Sequence, residues 1–271
     1  MNALADFLRR HPRLLVLTGA GLSQPSGIPV YRDSQGQWLR STPIQHADFV
    51  NKPASRQRYW ALSMIGWPRM RQAAPNAGHL ALAALERAGH VAQLVTQNVD
   101  GLHQRAGQQA VIDLHGNLDT VFCLDCGLRL PRAQMQAALH EANPFLHSPL
   151  AQSRPDGDAD LPDALLHDVQ VPACPACGGI LKPEVVFFGG TIPRECVARV
   201  EAAVKDCEAV LVVGSSLTVF SGFRICRDAH AQGKPLACLN LGVTRADGLF
   251  SVKVEADCAA TLAALPSALG L

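Results

Sequence analysis

Short apolar runs alternate with amphipathic stretches along most of this chain, as is typical of proteins with alternating strands and helices. Helical periodicity occurs over residues 75–88 and 193–205, and a short amphipathic helix is predicted before residue 14. Buried strands are predicted at the apolar runs Leu14–Leu17, Val91–Val95, Ala209–Val213, Pro235–Leu239 and Val252–Ala256. The pattern predicts an α/β fold built on a doubly wound, Rossmann-like parallel sheet.

Turns rich in glycine and polar residues follow these predicted strands. The first strand leads into GAGLSQPSGIP, and later strands lead into GSSL and into Asn240 and Gly242. Because the carboxyl ends of parallel strands meet at one edge of a sheet, the turns predict a nucleotide-binding crevice. The first turn departs from the G-x-G-x-x-G spacing, so a standard dehydrogenase is not the favoured interpretation. Ser23 or Ser26 is expected to cap the segment that follows.

The segment Thr96–Gly116 carries the densest group of reactive side chains in the sequence. They are Gln97, Asn98, Asp100, His103 and His115. Packing gives no reason for so many polar groups to gather after a buried strand, so the candidate chemistry is placed here. For His103, and for His79 on the preceding helix, a structural role in packing or hydrogen bonding is the preferred interpretation.

Two segments lack a clear period. Residues 33–74 are interrupted by Pro43, Pro53 and Pro68, and they are predicted to form a loop and short helices over the sheet. The apolar run Lys182–Gly190 is suited to a strand or an extended segment.

Four of the nine cysteines form two C-x-x-C pairs, each followed by glycine. Such pairs are typical of a zinc ribbon, and four thiolates saturate a tetrahedral zinc, so a structural zinc is predicted. The ligands are Cys123, Cys126, Cys174 and Cys177. The 47 residues between the pairs exceed what a ribbon needs, which predicts an insertion with an exposed acidic loop at residues 153–163. The other cysteines are interpreted as small core residues.

Composition narrows the possible partners. With 271 residues, 48% of them apolar, the chain can fill a proper core. Because 24 basic residues face 23 acidic ones, binding to nucleic acid or to a membrane through bulk charge is not expected. No run of about 20 apolar residues is present, and residues 1–13 lack the apolar core of a signal peptide, so a cytoplasmic protein is expected.

Several long motifs occur together and in order: GAGLSQPSGIPVYRD, TQNVDGLHQRAG, LHGN, the two C-x-x-C pairs, KPEVVFFG, VGSSL and LNLG. Over nearly the whole chain they resemble the sirtuins, and motifs of this length are far more specific than one short pattern. The segments PIQHADFV, RQRYWA and VFCLDCG look most like the class II branch of that family, which contains mitochondrial sirtuin 4.

The resemblance implies an NAD-dependent protein-lysine deacylase. NAD would be a co-substrate, nicotinamide and O-acyl-ADP-ribose the products, and proteins bearing acyl-lysine the partners. It also implies three regions. Residues 1–32, 75–119 and 180–271 would form the Rossmann-like NAD-binding domain, residues 33–74 a cofactor loop and helical lid, and residues 120–179 the zinc-binding domain with its insertion.

The resemblance assigns roles to individual residues. His115 would be the general base for a ribose hydroxyl, Asn98 would position the ribose, and Asp100 would hold the nicotinamide carboxamide. Val186 and Phe188 would contact the substrate backbone and the acyl-lysine. Residues that match cofactor-contacting positions are Gly19, Ala20, Gly21, Ser23, Ile28, Arg32, Gln97, Asn98, Asp100, Gly214, Ser215, Ser216, Asn240, Gly242 and Cys258.

The chain departs from the family pattern in two places. Gly190 stands where most members have an acidic residue after FFG, so one contact to the substrate backbone is expected to be missing. Gln37 and Arg40 stand where desuccinylating members carry Tyr-x-x-Arg, so a succinyl preference is not expected. The insertion is instead predicted to reach the acyl channel through Arg154, Leu161, Leu165, Leu166 or His167, and a solvated loop without functional contacts is the alternative.

Three other functions stay open from the sequence. Mono-ADP-ribosyl transfer to protein shares the NAD cleavage site but uses a different acceptor. A nicotinamide-dependent oxidoreductase with a structural zinc would form NADH instead of free nicotinamide. A binding module without catalysis gives His115, Asn98 and Asp100 no reason to gather.

Overall fold

A six-stranded parallel sheet forms the centre of the computed structural model, which describes residues 2–29, 43–146, 166 and 168–271. The order of its strands is β3-β2-β1-β7-β8-β9. The strands in the described part of the chain are β1 (Leu14–Thr18), β2 (Val91–Thr96), β3 (Val111–Asp113), β4 (Gly116–Cys123), β5 (Arg129–Pro131), β6 (Leu181–Val185), β7 (Ala209–Val213), β8 (Leu236–Leu239) and β9 (Val252–Val254).

Helices cover both faces of this sheet. The helices among the described residues are α1 (Asn2–Arg10), α2 (Ala20–Ser23), α3 (His46–Asn51), α4 (Pro53–Gln72), α5 (Ala77–Arg87), α6 (Leu102–Arg105), α7 (Arg132–Ala142), α8 (Arg194–Asp206), α9 (Phe220–Ala231) and α10 (Cys258–Leu269). Helices α1, α5 and α10 pack with Leu14 and Val16 of β1, whereas α8 and α9 pack on the face that carries Leu15 and Leu17. Alternate residues of a strand point to opposite faces, so β1 is buried along its whole length. The predicted doubly wound sheet is confirmed.

The switch in strand order places the ligand crevice. Both β2 and β7 pair with β1, one on each side. The sheet continues from β2 to β3 in one direction and from β7 to β8 and β9 in the other. A crevice opens at the carboxyl ends of such strands because the connections diverge there. The turns after β1, β2, β7 and β8 therefore converge at one edge.

A second, antiparallel sheet lies in the order β5-β4-β6. The apolar run that begins at Leu181 enters this small sheet and pairs with β4, with Cys123 opposite Leu181. Helix α7 contacts β4, and its Leu139 shares a core with Trp60 of α4. This smaller unit carries Cys123 at the end of β4, and Cys174 is buried in the same core.

The expectation of short helices over residues 33–74 is wrong at α4, which is a long helix. It runs for 20 residues from Pro53 to Gln72 and contains Pro68. Proline lacks an N–H, so Pro68 leaves the carbonyl of Met64 without its usual partner in the helix. Nε2 of Gln136, on α7, donates to that carbonyl at 2.7 Å. A side chain from α7 thus supplies a hydrogen bond to the carbonyl that the proline leaves without a partner in the helix.

Several expectations fall on residues that the structure does not describe. They are Arg32, Gln37, Arg40, Arg154, Leu161, Leu165 and His167, together with the acidic loop at residues 153–163. Leu166 is described, and it is buried in the core shared by α4 and α7. Among the described residues, no helix is both long enough and apolar enough to cross a membrane.

Candidate functional site

A cavity of about 630 Å³ opens at the carboxyl edge of the parallel sheet. The turns after β1, β2, β7 and β8 contribute to its wall, together with the segment after β6. The predicted site residues that line it are Gly19, Ala20, Gly21, Gln97, Asn98, His115, Val186, Phe188, Gly214, Ser215, Ser216, Asn240 and Cys258. The structure therefore brings most of the predicted residues to one concave surface of a size suited to a dinucleotide or a similar ligand.

Glycines allow two of these turns to touch through their backbones. A Cβ atom at Gly19 would lie 2.8 Å from the carbonyl oxygen of Gly214, and one at Gly214 would lie 2.5 Å from the nitrogen of Leu22. Gly214 also has a φ of +61°, in the region that favours glycine. The N–H of Gly21 donates to the carbonyl of Gly214 at 2.9 Å. The result is a backbone-to-backbone contact between the turns after β1 and β7 that presents no side chain from these glycines to the cavity.

Ser23 connects the two turns that flank β1 and β2. Its hydroxyl accepts a hydrogen bond of 3.1 Å from Nδ2 of Asn98 and donates one of 2.7 Å to Asp100. Nδ2 of Asn98 also donates to the carbonyl of Gly19 at 3.1 Å. The expectation that Ser23 caps the next segment is wrong, because it makes no side-chain cap at the 3-10 helix Gln24–Ser26 and is engaged with Asn98 and Asp100 instead.

Burial changes the acidity of Asp100. Loss of hydration raises the pKa of its carboxyl, while hydrogen bonds from the N–H of Leu102 and the hydroxyl of Ser23 act in the opposite direction. Asp100 does not line the cavity itself but is linked through Ser23 to Asn98, which does.

His115 is fixed at both ring nitrogens. Nδ1 lies 3.0 Å from the carbonyl oxygen of Gln97, and Nε2 lies 2.8 Å from the hydroxyl of Ser221. Burial lowers the pKa of His115, and the contact with the Gln97 carbonyl opposes that shift. The ring is therefore neutral near pH 7, and a neutral imidazole has a lone pair available to take a proton.

A buried chain of polar side chains supports Asn98 from behind. The hydroxyl of Thr18 lies 2.9 Å from Nε2 of His103 and donates to the hydroxyl of Thr96 at 2.9 Å, and Thr96 accepts from the N–H of Asn98 at 3.1 Å. His79 packs against His103 with 4.9 Å between ring centroids. The structural interpretation of both histidines is confirmed, since His79 also belongs to the capping box of α5.

Lys182 is a buried charged residue that the sequence pattern did not single out. Its side chain is only 4% exposed, and its ammonium lies 4.2 Å from the ring centroid of Phe187. It donates to the carbonyls of Pro183 and Val185, and burial lowers its pKa to about 8. This lysine anchors the segment that leads into the cavity wall. A charged residue inside an apolar run was the available signal.

The remaining predicted residues take less direct positions. Ile28 is buried in an apolar cluster with Val99 and Leu102. Nδ2 of Asn240 donates to the carbonyls of Leu241 and Gly242, so it shapes its own turn. Cys258 begins α10 and reaches the cavity wall there.

Gly190 occupies a position with little room for a side chain. A Cβ atom there would lie 2.9 Å from the carbonyl oxygen of Phe187 and 3.4 Å from Cβ of His46. The N–H of Gly190 donates to that same carbonyl at 2.9 Å. The tight turn at this point gives a physical reason for glycine where an acidic residue was expected by resemblance.

The four predicted metal ligands form one cluster. Their sulfur atoms all lie within 4.8 Å of one another, with 3.5 Å between Cys123 and Cys177 and 3.7 Å between Cys126 and Cys174. Zinc–sulfur bonds of about 2.3 Å in a tetrahedron require sulfur atoms roughly 3.8 Å apart, so the cluster fits zinc. Gly127 and Gly178 each follow a pair with φ of +74°. Four thiolates leave no open coordination position, which fits a structural metal.

Comparisons with known proteins agree with this geometry. A model of the Sir2 family matches residues 19–221. An NAD-dependent protein deacetylase of Xanthomonas axonopodis pv. citri is 55% identical over 264 residues, which cover 97% of this chain and 90% of the relative. The NAD-dependent protein deacetylase 2 of Bradyrhizobium diazoefficiens is 52% identical over 264 residues, which cover 97% of each chain.

Solved structures resemble the whole chain as well. A complex of Sir2 with a p53 peptide and NAD+ has a TM-score of 0.78 at 28% identity, covering 100% of this chain and 98% of the other. A Sir2 complex with a deacetylated p53 peptide and 3'-O-acetyl-ADP-ribose has a TM-score of 0.82 at 28% identity, covering 100% and 99%. The family match, the full-length relatives and the shared fold lead to one conclusion: the chain belongs to the Sir2 family.

Proposed function

We propose that this protein is an NAD-dependent protein deacetylase that transfers acyl groups from lysine to ADP-ribose and releases nicotinamide. The observation that carries the proposal is the neutral His115, whose Nε2 lies at the cavity wall beside Asn98 and the glycine turns. Relatives that share at least 52% of their residues over nearly the whole chain are NAD-dependent protein deacetylases, which supports the same reaction.

The cofactor end of the cavity fits NAD through its backbone. Gly19, Gly21 and Gly214 pack backbone to backbone and line the cavity without side chains, so a pyrophosphate can approach this wall closely. Ser215 and Ser216 add hydroxyls at the same wall. When bound, NAD supplies an electrophilic ribose carbon and a leaving nicotinamide.

The residues of this chain would orient that reaction and move one proton. Asn98 is held by Ser23 and Gly19 and is proposed to position the ribose. Asp100 is proposed to hold the carboxamide side, with Ser23 between it and Asn98. His115 takes a proton from a ribose hydroxyl at Nε2, and general-base contributions of this kind amount to roughly 10²–10⁴-fold in rate.

The acyl-lysine is proposed to enter beside the segment that contains Val186 and Phe188. The N–H of Val186 donates to the carbonyl of His115 at 2.8 Å, which ties this segment to the base. The carbonyl of Phe188 accepts from the N–H of His46 at 2.8 Å, which ties the other end to α3. A segment fixed at both ends is a suitable template for an extended substrate backbone.

The finer assignments are also proposals. We assign the chain to class II on the segments PIQHADFV, RQRYWA and VFCLDCG, and we propose O-acyl-ADP-ribose as the product. We divide the chain into the Rossmann-like residues 1–32, 75–119 and 180–271, the lid residues 33–74 and the zinc-binding residues 120–179. The cytoplasmic location stays a prediction.

The decisive experiment measures nicotinamide release with a panel of acyl-lysine peptides and follows both products by mass spectrometry. Deacylated peptide and O-acyl-ADP-ribose in equal amounts are the expected result. Peptide that gains ADP-ribose instead would favour mono-ADP-ribosyl transfer, and formation of NADH would favour an oxidoreductase. Absence of peptide-dependent nicotinamide release would overturn the proposal.

A further inference from the structure

Ser221 donates a hydrogen bond to the lone pair of His115. The carbonyl oxygen of Gln97 can only accept, so the contact of 3.0 Å with Nδ1 places the proton of the neutral ring on Nδ1. Nε2 then carries the lone pair, and the hydroxyl of Ser221, 2.8 Å away, is its donor. Both side chains line the cavity, so this contact lies at the surface where a ligand would meet the base.

The close approach of α9 makes this contact possible. Ser221 is the second residue of α9 and Gly222 the third. A Cβ atom at Gly222 would lie 2.5 Å from Oε1 and 2.8 Å from Cδ of Gln97. Real Cβ atoms do not approach other atoms this closely, so any side chain at 222 would displace either the helix or Gln97.

Gln97 has little freedom to yield. Its side-chain Nε2 donates to the hydroxyl of Ser215 at 2.8 Å and to the carbonyl of Thr18 at 3.3 Å. Its backbone carbonyl accepts from Nδ1 of His115. The pair Ser221–Gly222 therefore works as a unit: glycine admits the helix against Gln97, and serine then reaches the imidazole.

We propose that Ser221 is the positioning residue of His115, an inference that rests on the proposed function of His115 as the general base. With Gln97 on Nδ1 and Ser221 on Nε2, rotation of the ring breaks at least one hydrogen bond. The ring is thereby held with Nε2 towards the cavity, where the substrate hydroxyl would replace Ser221 as the donor to the lone pair before its proton passes to Nε2. Orientation of a catalytic imidazole by its outer partners is a general means of preorganisation.

The test compares Ser221→Thr with Ser221→Val, because these two side chains have nearly the same shape and differ in the hydroxyl. At saturating NAD and acyl-lysine peptide, kcat of the Val variant should fall by roughly 3–10-fold, the size of one net hydrogen bond. The Thr variant should stay within about twofold of the wild type, and KM for NAD should change little in either, since one hydrogen bond at the base is all that differs. Equal kcat values for the Thr and Val variants would overturn the proposal, because a packing role does not distinguish them.

A second measurement does not depend on turnover. Nitrogen NMR of histidine-labelled protein without ligands reports the resonance of Nε2 in His115, which shifts when its lone pair loses a donor. The Val variant should show that shift, and the Thr variant should retain the wild-type resonance. Identical Nε2 resonances in all three proteins would overturn the proposal even if the rates differ. A wild-type protein without deacetylase activity would overturn the proposed function, and the NMR comparison would still decide whether Ser221 holds the lone pair.

Discussion

The hydroxyl of Ser23 lies 2.7 Å from the carboxylate of Asp100 and donates to it, which joins the turn after β1 to the turn after β2. The N–H of Leu102 donates to the other carboxylate oxygen at 2.9 Å. Asn98 reaches the same serine from the cavity side at 3.1 Å. One buried hydroxyl therefore controls the relative position of two side chains proposed to contact NAD.

Replacing Asp100 by Asn should separate these turns. The amide can still accept from Leu102, but its other terminal atom is an NH₂ group that cannot accept from Ser23. Hydrogen bonds to charged groups contribute about 1.5–3 kcal/mol, so kcat/KM for NAD should fall by roughly 10-fold or more. Steady-state kinetics with varied NAD would measure this, with Asp119→Asn, at an exposed position of β4, as the matched control. Equal losses in both variants would contradict the role of Asp100.

Replacing His115 by Ala should remove the base but leave the cofactor surface intact. We expect deacylation to fall by roughly 10²-fold or more, because proton removal from the ribose hydroxyl loses its acceptor. Affinity for NAD, measured by calorimetry, should change little. His230→Ala, at an exposed position of α9, is the control. Near-normal turnover in a folded His115→Ala protein would refute the assignment.

Replacing Cys174 by Ser should affect stability before chemistry. Cys174 is buried in a cluster that fits one tetrahedral zinc, and binding of a structural metal contributes directly to folding. We expect a lower midpoint of thermal unfolding and less than one zinc per chain by metal analysis. Cys196→Ser, outside the cluster, should keep both values. A Cys174→Ser protein with unchanged zinc content and stability would contradict the prediction.

Acid should destabilise the protein through His79. Burial is the main cause that lowers the pKa of His79 to about 4, with a smaller contribution from the charge of Arg105. The unfolded chain binds the proton near pH 6.5, so stability is lost as the pH falls from about 6.5 towards 4. The expected loss by pH 5 is on the order of 2 kcal/mol in the free energy of unfolding. His103 adds to this effect, because burial lowers its pKa as well.

Urea unfolding at pH 7, 6 and 5 would measure the acid sensitivity. His79→Asn should be less stable at pH 7, since the capping contact with Asn76 changes, but its stability should depend less on pH. His11→Asn, in the loop after α1, should follow the wild type. A His79→Asn protein with an unchanged slope would show that another group causes the acid sensitivity.

The amino-acid sequence by itself determined the α/β class, the strand positions and most residues of the candidate site. The apolar run Ala209–Val213 predicted both ends of β7 correctly, because a central strand buried on both faces has an uninterrupted run of apolar residues. The cysteine pairs and the glycine turns could also be recognised from the sequence, because both depend on the spacing of residues close together in the chain. The Sir2 motifs then named the side chains that the fold would gather.

Only the tertiary structure decided the contacts between distant segments. Pro68 marked a break in the sequence, yet α4 continues through it because Gln136, far along the chain, takes over the carbonyl of Met64. The link between Ser23 and Asp100 depends on the pairing of β1 with β2, and the link between Ser221 and His115 depends on the closeness that Gly222 permits. Such contacts leave no local period in the sequence, because they are made by residues that folding brings together from separate turns.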